Sequence, residues 1–280
     1  MFWQTSRRRI SLDRPLVMGI LNVTPDSFSD GGKFVFAGEA LKRAEQMIAD
    51  GVDIIDIGGE STRPGSASVE PEVEVERTSP VVDAIAKRFD IPISIDTTKW
   101  RVAKAAIECG AEIINDISGL RWEAKLAELA AETEAGLVLM HSRGKFETMH
   151  SEPPVDELFS ELRNSLTASI ETAKKSGVCE EQIALDIGIG FGKTFEQNLE
   201  LLAKLGSIVD EFKPYPMLVG TSRKSFIGKI LGDAPPSKRL SGSLVTALMA
   251  VQRGAKIVRV HDVKETVAML SVAREIDLRK

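Results

Sequence analysis

The sequence predicts an α/β protein built as one closed (β/α)8 barrel, and three observations support that fold. Short apolar segments bounded by turn residues alternate eight times with longer segments of helical periodicity. The connections are short, and 280 residues is a usual length for eight such units in one domain. Polar residues follow the apolar segments. We therefore predict a single TIM-barrel domain over residues 1–280, in which the lead of residues 1–15 caps the barrel bottom through Phe2 and Ile10.

The predicted strands are rich in Ile, Val and Leu, as is typical of parallel strands that are covered on both faces. They are expected at residues 16–21, 53–57, 93–96, 112–116, 136–141, 182–186, 216–220 and 256–260. An open doubly wound sheet is the alternative. No G-x-G-x-x-G pattern follows the first strand, and G-I-G-F-G after the sixth strand has a different spacing, which favours the barrel.

The predicted helices follow the strands in order, and residues of a 3.6-residue period give each an apolar face. They are expected at residues 38–50, 72–89, 99–109, 123–132, 156–175, 195–204, 242–252 and 263–276. Gly110 is predicted to end the third helix in a left-handed conformation. A helix that starts after T-S-R-K-S-F-I-G is interrupted at Pro235 and Pro236 before residue 242, because proline cannot continue a helix.

Composition and charge narrow the class of function. Hydrophobic residues make up 43% of the chain, but no apolar run approaches the ~20 residues of a membrane span. The net charge of -5 disfavours a nucleic-acid partner. No adequate apolar segment follows the basic residues 7–9, and two cysteines form no disulfide framework or zinc pattern. We expect a cytoplasmic protein that acts on small molecules.

Polar side chains stand where each predicted strand ends. In a (β/α)8 barrel these ends lie on one rim, which is where such proteins carry their active sites. The residues read at these ends are Asn22, Thr62, Arg63, Asp96, Asn115, His141 with the apolar Met140 before it, Asp186, Ser222, Lys224, Arg259 and His261. Each strand end has an ordinary explanation, since Asp and Asn also cap helices, but eight such strand ends together predict a site.

The chemistry of these residues sorts into three groups. Asp96, Asn115 and Asp186 suit the edge of a flat heterocycle that presents several hydrogen-bond donors and acceptors. The phosphate-type contacts are Thr62, Arg63, Arg259 and His261. The Asn22 oxygen suits Mg²⁺ beside phosphate, because this ion takes few protein ligands. The role of Asp56 stays open between a partner of site residues and a structural buried carboxylate.

Two long stretches resemble the signature motifs of bacterial dihydropteroate synthase. They are M-G-I-L-N-V-T-P-D-S-F-S-D-G-G at residues 18–32 and D-I-I-D-I-G-G-E-S-T-R-P-G at residues 53–65. S-I-D-T, I-N-D-I-S-G, L-M-H, D-I-G-I-G-F-G-K-T, G-T-S-R-K-S-F-I-G and R-V-H-D-V follow in that family's order. The resemblance covers essentially the whole chain, and that family's fold is a TIM barrel.

The resemblance implies a transferase of folate biosynthesis. It would condense 6-hydroxymethyl-7,8-dihydropterin pyrophosphate with p-aminobenzoate to 7,8-dihydropteroate and pyrophosphate, with Mg²⁺ at Asn22. The residues implied to hold the pterin are Asp96, Asn115, Met140, Asp186, Phe191, Gly220 and Lys224. Those implied to hold pyrophosphate are Thr62, Arg63, Arg259 and His261. Phe28, Thr62, Pro64 and Ser222 would form the p-aminobenzoate pocket, and Asp30, Arg63, Asp96 and Lys224 would act in catalysis.

Two departures from the family pattern and two rival functions accompany this prediction. Ile187 stands where the family has proline, and M-H-S-R-G replaces M-H-M-Q-G, which puts contacts from Ser142 and Arg143 in doubt. A pterin-binding methyltransferase would share the Asp/Asn/Asp pterin residues, but it would not need the loop motifs and would need a corrinoid partner. A non-catalytic paralogue would tend to lose Arg63, Lys224 or the loop residues, which this chain keeps. The resemblance also implies a homodimer and competition by sulfonamides.

Overall fold

The computed structural model describes residues 1–24, 33–62, 65–149 and 151–279, with the backbone alone for residues 33–37. Eight parallel strands close into a barrel, which confirms the predicted fold. They are β3 (Leu16–Asn22), β4 (Ile54–Gly58), β5 (Ile93–Asp96), β6 (Ile113–Asp116), β7 (Gly136–Met140), β8 (Ile183–Asp186), β9 (Met217–Val219) and β10 (Ile257–Val260). Their order around the barrel is β10-β3-β4-β5-β6-β7-β8-β9. The barrel closes where β10 pairs with β3, with Ile257 opposite Leu16.

Helices cover the outside of the barrel. They are α1 (Lys33–Ala49), α2 (Pro71–Arg88), α3 (Trp100–Cys109), α4 (Lys125–Thr133), α5 (Leu158–Lys175), α6 (Phe195–Ala203), α7 (Leu205–Glu211), α8 (Ser225–Ile230), α9 (Leu240–Gln252) and α10 (Val263–Asp277). Gly110 ends α3 with φ of 114°, as predicted. The prediction missed α7, which follows α6 after Lys204 alone, and it placed the start of α1 five residues late. In the parts of the chain that the structure describes, none of these helices has the length and apolar character to span a membrane.

Alternation along the strands divides the core into two layers. Successive side chains of a strand point to opposite faces, so residues two apart share a face. One set of strand residues packs outward against the helices, as Ile55 and Ile57 of β4 do. The other set points into the lumen, where Met18, Ile54 and Leu218 form part of a second apolar cluster at the bottom. Polar residues occupy the same inward positions nearer the carboxyl ends of the strands.

A hairpin closes the bottom of the barrel. Its strands β1 (Phe2–Gln4) and β2 (Arg9–Ser11) pair antiparallel, with Trp3 opposite Ile10. Trp3 is completely buried in the lumen cluster, and its Nε1–H donates to the Gln182 carbonyl at 2.8 Å. Ile10 packs against the same cluster, but Phe2 is 48% exposed. The lead caps the barrel as predicted, but assigning this role to Phe2 was wrong, and Trp3 carries it.

Replacing Trp3 by Phe is expected to lower the free energy of unfolding by about 1–2 kcal/mol. The change removes buried apolar area and leaves the Gln182 carbonyl without its donor. Urea unfolding would measure the loss, and Phe2→Leu is the matched control because its ring is half exposed. Equal midpoints for wild type and Trp3→Phe would show that the indole does not support the barrel bottom.

Candidate active site

A row of side chains crosses four neighbouring strands at the upper rim of the barrel. Asn22 pairs in register with Gly58, Gly58 with Asp96, and Asp96 with Asn115. Gly58 supplies no side chain, and a Cβ placed there would lie 3.6 Å from Asn22 Oδ1 and 3.7 Å from Asp96 Oδ2. The Asn22 and Asp96 oxygens therefore face one space above Gly58. The structure brings together three residues that the sequence assigned to one site.

Below this row, Arg259 lies between two carboxylates. Its Nε–H donates to Asp56 Oδ2 at 2.6 Å and its Nη2–H donates to Asp96 Oδ2 at 2.5 Å. Asn115 donates its Nδ2–H to Asp56 Oδ2 at 3.2 Å. Asp56 has no exposed side-chain surface. Its role, which the sequence left open, is that of a buried partner that holds Arg259 and Asn115 in place.

This arrangement changes how the carboxylates ionise. Burial raises the pKa of Asp96 and the Arg259 guanidinium opposes the rise, while the neighbouring Asp56 adds to it, and the net result is a pKa of about 7. The two carboxylates hold the pKa of Arg259 above its ordinary value against the effect of burial. Arg259 was predicted as a pyrophosphate contact, but the structure places its guanidinium with the predicted pterin residues.

Asp186 and Lys224 complete the polar layer of the lumen. Asp186 ends β8 beside Met140 of β7, and burial raises the pKa of its carboxyl. Burial, with the charge of Arg259 beside it, lowers the pKa of Lys224 to about 8. At the rim, the carboxylates of Asp56, Asp96 and Asp186 therefore lie around the cationic groups of Arg259 and Lys224.

Apolar groups form one wall beside these charges. Met140 and Phe191 pack together with Ile117 and Met149 in a cluster at the rim. The Lys224 ammonium lies 4.1 Å from the centre of the Phe191 ring, a cation–π contact. Gly220 lies against Arg259, because a Cβ there would be 3.7 Å from the Arg259 Cβ. The three residues predicted to line a flat slot therefore border the polar layer.

Ser222 and His261 face each other on neighbouring loops. The Ser222 Oγ lies 3.1 Å from His261 Nδ1 and accepts the His261 backbone N–H at 3.1 Å. Burial and the charge of Arg259 lower the pKa of His261 to about 3, so the imidazole is neutral at pH 7. Arg223, at φ of +59°, pairs with Asp262 through two hydrogen bonds and ties these loops together.

The loop after β4 begins at a buried ion cluster. The Lys99 ammonium donates to Glu60 Oε1 at 2.8 Å, to Glu74 Oε2 at 2.6 Å and to the Val69 carbonyl at 2.6 Å. Glu60 also accepts the Val69 backbone N–H at 2.5 Å, which joins the two ends of the loop. Thr62 lies in this loop.

Four predicted site residues, Phe28, Asp30, Arg63 and Pro64, lie outside the residues that the structure describes, so their roles stay predictions. The departures at Ser142 and Arg143 are resolved. Ser142 donates its Oγ–H to the Ile117 carbonyl at 2.7 Å, and Arg143 donates to the Pro153 carbonyl at 2.6 Å, so both serve loop structure.

Sequence reasoning left the role of Asp56 open and missed Lys193. Strand alternation could have assigned Asp56 to the site, since Ile54, Asp56 and Gly58 share the inward face of β4. Lys193 donates to the backbone carbonyls of His141, Gly188 and Phe191, and the sequence carries no signal for such contacts.

Comparison with known proteins identifies the family. The sequence pattern of the pterin binding enzyme family matches residues 18–261. The dihydropteroate synthase of Escherichia coli K12 is 49% identical over 265 residues, which cover 94% of this chain and 92% of that protein. The dihydropteroate synthase of Synechocystis is 47% identical over 260 residues, covering 93% of this chain and 89% of that protein. The chain belongs to the dihydropteroate synthase family. It is a transferase.

Solved structures of dihydropteroate synthases share the whole fold. The Xanthomonas albilineans enzyme, solved with 4-aminobenzoic acid, has a TM-score of 0.91 and 38% identity over 99% of both chains. The Burkholderia cenocepacia enzyme, complexed with 7,8-dihydropteroate, has a TM-score of 0.89 and 41% identity over 99% of this chain and 97% of that one. A Yersinia pestis structure with a sulfonamide drug has a TM-score of 0.91 and 42% identity over 99% of both chains.

Among the described residues, this dihydropteroate synthase family member offers Mg²⁺ few protein ligands. Within residues 1–24, 33–62, 65–149 and 151–279, no three His, Cys, Asp or Glu side chains are grouped as metal ligands. Asn22 Oδ1 nevertheless faces the space above Gly58 beside an Asp96 oxygen. Such a donor set suits an ion that completes its shell with phosphate and water oxygens.

Proposed function

We propose that the protein condenses 6-hydroxymethyl-7,8-dihydropterin pyrophosphate with p-aminobenzoate to form 7,8-dihydropteroate and pyrophosphate. The observation that carries the proposal is the polar layer of the lumen beside an apolar wall. Carboxylates, an amide and a lysine face the same space that Met140 and Phe191 border. A flat heterocycle with polar edges fits such a surface. The family membership and the ligands of related structures support the same reaction.

The pterin ring would lie with its polar edge toward the lumen. The Asp96 and Asp186 carboxylates can accept its N–H groups, and the Asn115 amide can both donate and accept. Lys224 can donate to the pterin from beside Phe191, because its ammonium lies against the Phe191 ring. Binding therefore orients the exocyclic methylene of the pterin toward the loops of the rim.

The reaction proposed is a dissociative substitution. The bond between the methylene carbon and the pyrophosphate oxygen breaks, and its electron pair leaves with pyrophosphate. The resulting cation is delocalised into the pterin ring, and the carboxylates of Asp96 and Asp186 stabilise this positive charge. The amine of p-aminobenzoate then attacks with its lone pair to form the new carbon–nitrogen bond, and it loses one proton.

Charge on the leaving group needs separate stabilisation. Mg²⁺ held at Asn22 would neutralise part of the negative charge of pyrophosphate. The Thr62 hydroxyl and the neutral imidazole of His261 can donate hydrogen bonds but bring no charge. Arg63 and Arg259 are the cations predicted for this role.

The second substrate would bind at the loops. Ser222 can donate its hydroxyl proton to a carboxylate, and Phe28, Thr62 and Pro64 are proposed to complete the p-aminobenzoate pocket. Since these loops also hold pyrophosphate, we propose that the pterin substrate binds first. Asp30 and Arg63 would organise the closed loops.

The test is product formation from the two substrates. The proposal predicts 7,8-dihydropteroate, identified by mass, only when both substrates are present, and inhibition by a sulfonamide that p-aminobenzoate relieves competitively. Pterin binding without product would instead favour a non-catalytic paralogue. Methyl transfer that depends on a corrinoid protein would favour the methyltransferase.

We propose that the protein is a homodimer. Two neighbouring helices each expose a pair of apolar side chains one turn apart. Val245 and Met249 lie on α9, and Val272 and Ile276 lie on α10. Exposed apolar groups of this kind are typical of interfaces between subunits.

A double variant tests this interface. Wild type is expected to have twice the chain mass in solution by light scattering, and Val245→Asp with Met249→Asp should reduce it to one chain mass. Val73→Asp on α2 is the control, because Val73 is also exposed but lies on another face. A double variant that keeps the dimer mass would place the interface elsewhere.

A further inference from the structure

Lys193 lies in the loop between β8 and α6, and its ammonium is surrounded by backbone carbonyls. Its Nζ–H groups donate to the Gly188 carbonyl at 2.8 Å, the Phe191 carbonyl at 3.1 Å and the His141 carbonyl at 3.3 Å. Three acceptors match the three donors of an ammonium group. Two acceptors belong to the lysine's own loop, and the third belongs to the end of β7. Lys193 therefore links the loop to the neighbouring strand.

The loop approaches β7 so closely that a side chain would not fit. Gly188 has φ of +65°, and a Cβ there would lie 1.8 Å from the His141 carbonyl oxygen. The Gly188 N–H donates to Asp186 Oδ1 at 2.7 Å, so the same turn orients a carboxylate of the site. The Lys193 contact to His141 holds this close approach in place.

The far part of the loop forms the wall of the pterin slot. Phe191, whose carbonyl Lys193 binds, packs on Met140 at the end of β7 and lies beside the Lys224 ammonium. Gly190 allows the Lys224 side chain to pass, since a Cβ there would be 3.0 Å from Lys224 Cδ. A small displacement of this loop would move both Phe191 and the Asp186 carboxylate.

We propose that Lys193 is a positioning residue that fixes the loop carrying Phe191 against β7 and thereby sets the width and polarity of the pterin slot. The inference rests on the proposed function, because it states that Lys193 affects the binding of the pterin substrate and not that of p-aminobenzoate. Lys193 acts through Asp186 and Phe191 and does not touch the substrate. Ser222 and Thr62, which are assigned to p-aminobenzoate, lie on other loops, so p-aminobenzoate binding should not depend on Lys193.

The experiment compares steady-state constants for both substrates in Lys193→Met, Lys193→Arg and wild type. Lys193→Met keeps the length of the stem but donates no hydrogen bond. It is expected to raise KM for the pterin substrate at least tenfold and to change KM for p-aminobenzoate less than twofold. Lys193→Arg retains donors, so its KM for the pterin substrate should stay within threefold of wild type. The control is Lys204→Met, which replaces an exposed lysine at the end of α6 and should match wild type.

Three outcomes would overturn the inference. They are an unchanged pterin KM in Lys193→Met, an equal rise in both KM values, and a Lys193→Arg variant as impaired as Lys193→Met. If Lys193→Met does not fold, Lys193→Arg decides, because a tenfold rise in its pterin KM with normal unfolding would contradict a role carried by donated hydrogen bonds. Wild type that forms no dihydropteroate would refute the proposed function itself, which separates the two failures.

Discussion

Replacing Asp96 by Asn is expected to lower kcat/KM for the pterin substrate by about 10²–10³-fold, the range found when one electrostatic contact to developing charge is removed. The amide keeps the shape of the side chain but carries no negative charge to stabilise the pterin cation. Arg259 retains its hydrogen bond to Asp56, so the variant should fold as wild type does. Single-turnover rates and urea unfolding would separate the two effects.

The dependence on pH gives a second readout of the same change. Because the pKa of Asp96 is raised to about 7, a growing fraction of this carboxyl is protonated as the pH falls below that value. The wild-type kcat/KM should therefore rise with pH through about 7, and Asp96→Asn should lack this rise.

A charge-matched variant on the opposite face controls for the loss of one carboxylate. Asp90→Asn at the barrel bottom removes an exposed carboxylate that pairs with Arg8, and it should leave activity and its pH profile unchanged. An Asp96→Asn variant that keeps the wild-type rate would remove Asp96 from the mechanism.

Replacing Arg259 by Met is expected to lower the free energy of unfolding by about 3–5 kcal/mol at pH 8, the usual cost of removing one partner from a buried ion pair. Asp56 is fully buried and Asp96 is 14% exposed, so without the guanidinium two carboxylates face each other with little water. Urea unfolding at several pH values would measure the effect.

The sign of the pH dependence follows from proton linkage. Without Arg259, which opposes the rise in the pKa of Asp96, the folded protein would bind a proton at Asp96 more tightly than the unfolded chain does. Stability of the variant should therefore fall as pH rises above the ordinary carboxyl pKa of 3.8 and recover in acid. A loss that is the same at pH 5 and pH 8 would contradict this account.

Two further variants isolate the buried charge. Adding Asp56→Asn to Arg259→Met should restore part of the lost stability, because one of the two opposed charges is gone. Arg163→Met breaks an ion pair with Glu211 on the surface and should change stability far less.

The architecture could be predicted because its signals are local. Apolar segments bounded by turn residues placed every barrel strand within two residues of its observed bounds, as with β4 and β10. The hairpin of β1 and β2 was not foreseen as strands, since three residues carry too little periodicity. Phe2 and Trp3 are adjacent and both aromatic, so only the turn geometry decides which one faces the lumen.

The site was predictable as a set of strand ends but not as a set of contacts. That Asp96 and Asn115 share a rim follows from parallel strands, whereas the contact of Arg259 with Asp56 depends on how the barrel closes between β10 and β3. The sequence suggested a phosphate contact for Arg259 because a guanidinium group matches phosphate oxygens as well as it matches carboxylate oxygens. Side chains that bind backbone carbonyls, such as Lys193, leave no pattern in the sequence.

The most direct test of the account is release of pyrophosphate from the pterin pyrophosphate substrate, measured with and without p-aminobenzoate and with and without Mg²⁺. The account predicts release that requires Mg²⁺ and accelerates when p-aminobenzoate is added. Tight binding of the pterin without any release under these conditions would contradict it, and the polar layer around Asp96 would then be a pterin-binding surface without synthase chemistry.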